Sequence, residues 1–132
     1  LYREAPVNAI WEGSGNVQCL DMLRAVHRTP AVVDAFFAEL ARARGAEARL
    51  DRWVSELQQE FADRTDLEYR ARRIVDRMAL AIQAALLVQH APPAVADAYC
   101  ASRLEGAGPR QYGTLPRGVD CAAIIARATP RI

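Results

Sequence analysis

Apolar residues recur every three to four positions along most of this chain, the spacing of helices that bury one face. After a glycine-rich stretch at Glu12-Gly13-Ser14-Gly15-Asn16, the positions Val17, Leu20, Leu23 and Ala25-Val26 set that rhythm, and the helix is expected to stop near Arg28. Thr29-Pro30 predicts the next start, with the threonine capping exposed amides and the proline at the first helical position. Val33, Phe36-Phe37 and Leu40 then form one apolar face, and Gly45 is placed to close that helix. Leu50, Trp53-Val54, Leu57 and Phe61 repeat the spacing in a third segment.

Thr65-Asp66-Leu67-Glu68 has the form of a capping box. It predicts the start of the longest helix, residues 66–90, roughly 40 Å at the usual rise. Leu67, Ala71, Ile74-Val75, Met78, Ile82 and Leu86 trace its expected buried stripe. Its second half, from Met78 to Val88, is apolar on nearly all sides, as in a helix that runs through the middle of a bundle. Pro92-Pro93 ends it and begins another helix, which runs toward Gly106. Glycines and prolines then mark a loop to Gly118, and residues 119–128 predict a short last helix. Alternating β-branched runs between turn signals are absent, so strands are not expected. The fold class is all-α, a bundle of about five to six helices with short connections.

Length is compatible with one domain: 132 residues, 52% hydrophobic and 25% charged, carry enough apolar surface for a packed core. The expected organisation is a loop and the end of a preceding helix over 1–16, a bundle over 17–105, and a loop with a short helix over 106–132. The chain opens on Leu1-Tyr2-Arg3-Glu4 without an initiating Met, which reads as a helix already under way and predicts a piece of a longer protein, natural or engineered. The net charge of +1 gives no global field toward nucleic acid or an anionic membrane, although all 17 basic residues are Arg. Cys19, Cys100 and Cys121 match no zinc spacing, and their odd number argues against a disulfide framework. A cytoplasmic location is the simplest expectation. No apolar run is long enough to span a bilayer, and no metal site is expected.

The candidate chemistry lies at Trp11-Glu12-Gly13. A carboxylate shielded by an indole has its charged form disfavoured, which moves it toward the working range of a general base, and flanking glycines let backbone approach a ligand. On the residues alone, a glutamate in a glycine-rich turn is more often a surface or capping group.

The stretch from Tyr2 to Leu20, with Trp11-Glu12-Gly13-Ser14-Gly15-Asn16 at its centre, resembles the signature near the C-terminus of acyl-CoA dehydrogenases. The Trp-Glu-Gly-Ser-Gly-Asn version, followed by Cys19-Leu20-Asp21, is similar to the AidB-like (adaptive response to alkylation) branch, as is Tyr112-Gly113-Thr114-Leu115-Pro116-Arg117-Gly118-Val119-Asp120. The resemblance implies the C-terminal helical domain of an FAD-dependent dehydrogenase of acyl-CoA thioesters. It implies Glu12 as the base that takes the α-proton, Gly13 along the acyl thioester, and Ser14, Gly15 and Asn16 as FAD contacts. Ser14 replaces a common Thr, while Asn16, Val17 and Gln18 depart from the common pattern. Flavin and substrate would lie between this domain and the N-terminal helical and β-domains of the parent, so this chain alone is not expected to retain FAD or turn over. A homo-oligomer is also expected.

The same branch implies double-stranded DNA as a possible partner. Arg70, Arg73 and Arg77 fall near one helical face, and Arg24 and Arg28 lie one turn apart, so these are candidate phosphate contacts. The competing expectation is a solvated face with ion pairs within the helix, such as Asp66 with Arg70 and Arg73 with Asp76. His27 and His90 are expected near helix C-termini, Trp53, Phe36, Phe37 and Phe61 in the core, and Cys19 and Cys100 as buried small hydrophobes.

Overall fold

The computed structural model describes residues 15–105 and 115–130. Among them are α1 (Gly15–Arg28), α2 (Ala31–Ala41), α3 (Ala48–Ala62), α4 (Leu67–His90), α5 (Pro93–Arg103) and α6 (Cys121–Ala128), with no strand. The all-α bundle is therefore present, with α4 at its centre. α1, α2, α3 and α5 all pack on α4, and α6 rests on α5.

The most buried positions of α4 are Ala71, Ile74, Leu80, Ala81, Ala84 and Ala85. Four of the six are alanines, and a methyl-sized side chain permits close helix approach on several sides. This corrects the expected stripe: Leu86 is 43% exposed, while Leu80 and the alanines face inward. Leu40, Leu50, Leu57, Cys100 and Leu104 complete the core from α2, α3 and α5. Phe36, Phe37, Trp53 and Phe61 pack against it, with Phe37 edge-on to both Phe36 and Phe61. On α1, Cys19 is buried and Met22 packs on the core, so Val17 and Leu20 face outward at 62% and 42% exposure.

Two helix starts differ from the sequence expectation. The Thr29 side chain makes no cap; the carbonyls of Thr29 and Pro30 accept from the amides of Val32 and Val33 instead. The capping box at Thr65–Glu68 is not formed either. A cap residue needs extended backbone, but the short α3–α4 connection turns through Asp66 in the left-handed region (φ 49), and its side chain caps nothing. Gly45 closes the α2–α3 turn at φ +81, where a β-carbon would be strained, and its amide donates to the Asp51 carboxylate. Glu47 caps α3 by accepting from the Arg49 amide, and Asp120 caps α6 by accepting from that of Ala123.

Candidate functional site

Glu12, Gly13 and Ser14 lie outside the described residues. The part of the candidate loop that is described is its junction with α1, where Gly15 and Asn16 form the exposed first residues of the helix. The first amides of a helix have no intrahelical acceptor, and they carry the positive end of its dipole. α1 packs on α4, and Met22 lies against the core.

Arg72 of α4 reaches the junction. Its Nη1 donates to Asn16 Oδ1 at 3.1 Å. A β-carbon on Gly15 would lie 3.3 Å from Arg72 Nη2, so the guanidinium closes over the helix start and a side chain at Gly15 would press on it. Among the described residues no carboxylate forms an ion pair with Arg72. Sequence reading places Arg72 in the basic cluster at the start of α4 but does not foresee its contact with Asn16. It stands 56 positions from Asn16, and nothing in local spacing links them.

The arginines singled out as phosphate contacts have other occupations. Arg70 is only 15% exposed. It donates to the carbonyls of Glu60, Asp63 and Thr65 and to the Glu60 carboxylate, so it closes the open C-terminal end of α3. Arg77, 17% exposed, pairs with Glu56 at 2.7 Å and lies 4.1 Å over the Trp53 ring, while the Trp53 indole N–H donates to the Arg77 carbonyl. Arg73 pairs with Glu60 at 2.8 Å but stays exposed. The expected pairing of Arg70 with Asp66 within the helix is thus replaced by bonds across to α3. An open cleft of about 370 Å³ along this seam is lined by Glu56, Glu60, Asp63, Arg70, Arg73 and Arg77, three carboxylates against three guanidiniums and formally neutral. Arg24 and Arg28 are exposed on α1, with Arg24 paired to Asp21 at 3.3 Å.

A second arginine that sequence reading did not single out, Arg49, binds Glu47 at 2.6 Å and Asp97 at 2.7 Å, tying α3 to α5. Its hydrogen bonds hold the Glu47 carboxyl below the ordinary range. Burial, reinforced by the Glu47 charge, pushes the Cys100 thiol up to about 11, so this cysteine is an inert core residue. Cys19 is buried as expected, whereas Cys121 is exposed. His27 and His90 occupy the last turns of α1 and α4. Among the described residues no cluster of His, Cys, Asp and Glu could hold a metal, and no helix is long and apolar enough to cross a membrane.

The chain is 38% identical over 108 residues to AidB of Escherichia coli (strain K12), an acyl-CoA dehydrogenase-like protein. Over these residues the chain is a relative of the AidB-like acyl-CoA dehydrogenases. The match takes in 82% of this chain and 20% of AidB, so the chain spans about a fifth of the length of that relative. No protein-family model matches the chain.

Proposed function

We propose that this chain is the C-terminal helical domain of an FAD-dependent acyl-CoA dehydrogenase-like protein, with Glu12 as its base. The observation that carries the reading is the AidB-like similarity, joined to the Trp11-Glu12-Gly13-Ser14-Gly15-Asn16 motif. In this reading Glu12 takes the α-proton of an acyl-CoA thioester, Trp11 keeps water from its carboxylate, and Gly13 leaves room for the thioester. Ser14, Gly15 and Asn16 contact the cofactor. Gly15 and Asn16 fit that task, because they are exposed and open a helix whose first amides lack intrahelical acceptors. Bound FAD would supply the two-electron acceptance that the side chains cannot. The remaining walls come from the other domains of the parent, and the parent assembles as a homo-oligomer.

The full-length protein, purified with its flavin, tests this reading. Titration with acyl-CoA under anaerobic conditions should bleach the flavin absorbance, and a spectrum unmoved by any chain length would refute dehydrogenation. The rival reading, a DNA-binding or oligomerisation module, meets a neutral α3–α4 seam in which Arg70 and Arg77 are already committed. Its remaining candidates are Arg24 and Arg28. A duplex mobility shift that weakens as salt rises, and is lost in a double Arg24→Gln, Arg28→Gln variant, would favour it over catalysis.

A further inference from the structure

We propose that Arg49 is the keystone of an acid-sensitive latch that holds α5, and α6 with it, on the bundle. The latch stands or falls independently of the chemistry proposed for Glu12.

Arg49 belongs to the first turn of α3, and its side chain is 17% exposed. Nε and Nη2 donate to the two oxygens of the Glu47 carboxylate at 2.7 and 2.6 Å, and Nη2 also reaches Asp97 of α5 at 2.7 Å. Glu105, just past the end of α5, lies 4.0 Å from Nη1 and accepts from Arg52 at 3.3 Å. Among the described residues, the ion pairs of this cluster set three carboxylates against two guanidiniums, which leaves negative charge in excess. The Cys100 thiol faces the same groups, but burial keeps it neutral.

The apolar hold on α5 is light. Its buried side chains are Ala98, Cys100 and, at its end, Leu104, with Tyr99 packed beside them. On α3, Leu50 and Leu57 are buried and are backed by Trp53, Val54 and Phe61. Stabilisation by burial scales with apolar area, so ionic contacts weigh more for α5 than for α3. α6 buries no residue and packs on α5, so whatever frees α5 also frees α6. Asp97 and Glu105 are about half exposed, at 53% and 49%, so protons reach their carboxylates while the cation stays largely inside.

Removing the guanidinium would do more than delete bonds. Glu47, Asp97 and Glu105 would share one site with Arg52 alone to offset them, and like charges disfavour each other's ionised form. The sign of the pH response then inverts. With Arg49 in place the folded state favours the charged Glu47 carboxyl, so the hold is full above its ordinary range and is lost as pH falls through the lowered value. Without Arg49, protonation relieves repulsion, and the hold on α5 improves as pH falls.

Hydrogen exchange on the full-length protein, expressed as protection at each pH, tests the latch on residues 97–104, whose amides have acceptors within α5. At neutral pH, Arg49→Gln should lower protection in α5 and α6 by about tenfold, the scale of a hydrogen bond to a charged group, and leave α1 and α2 unchanged. Lowering the pH to about 4 should reduce α5 protection in the natural protein and raise it in the variant. Asp97→Asn keeps the Glu47 bonds and should loosen α5 less. Combined with Arg49→Gln, it should return part of the lost protection, because one of the opposed charges is gone. An even loss across all helices, or a pH response of the same sign in both proteins, overturns the latch, as does a double variant no better than Arg49→Gln. If Arg49→Gln does not fold, Asp97→Asn decides alone: lowered protection in α5 with α1 and α2 unmoved supports the latch, and unchanged protection in α5 overturns it.

Discussion

The α3–α4 seam and the α1–α4 junction are built on the same central helix and use the same kind of side chain, yet they treat arginine in opposite ways. In the seam, Arg70 and Arg77 are mostly buried, and each is bound to a carboxylate and to further groups of α3 or to Trp53. In the junction, Arg72 is exposed and holds a single neutral amide beside Gly15. The seam spends its cations on holding helices together. The junction keeps one at the surface, on the first turn of α1.

The comparison can be broken first at its centre. Ile74 is fully buried where α4 meets its neighbours, so Ile74→Ala should cost about 2–5 kcal/mol in chemical denaturation. A loss below about 1 kcal/mol would mean that α4 is not the shared core. Arg70 and Arg73 sharpen the contrast next, since both reach Glu60 but only Arg70 is buried. Arg70→Ala strips the α3 end of its donors and should cost about 2–3 kcal/mol, against less than about 1 kcal/mol for Arg73→Ala. Equal effects would erase the difference between a staple and a surface pair.

The smallest effect is the pH dependence of the α3–α5 tie. Arg49 holds the Glu47 carboxyl below its ordinary 4.5, so the folded state favours the charged form. That contribution is fully present above the ordinary value and is lost as pH falls through the lowered one. Stability measured from pH 6 downward should therefore decline less steeply in Glu47→Gln than in the natural sequence. Parallel profiles would remove the tie from the account.

Much of this fold was legible because apolar spacing is a local property. The α3 stripe through Leu50, Trp53, Leu57 and Phe61 and the double-proline break at Pro92-Pro93 both stand in the structure. What misled was anything decided by neighbours. The Thr65–Glu68 pattern satisfies the capping rule, but a short turn imposes a left-handed Asp66, and Arg70 supplies the closure instead. Leu86 has the right spacing and still faces out, because alanines allow the closest packing on α4. For the candidate site, the motif was visible in the sequence and the contact of Arg72 with Asn16 was not. The link between Arg72 and Asn16 exists only once α1 lies on α4.

The central claim, that Glu12 is the base of an acyl-CoA dehydrogenase-like protein, is tested most directly by anaerobic acyl-CoA titration of the full-length protein beside its Glu12→Gln variant, both loaded with FAD. The natural protein should lose its flavin absorbance, and the variant should bind acyl-CoA yet keep its colour. Equal bleaching in the two would contradict the claim.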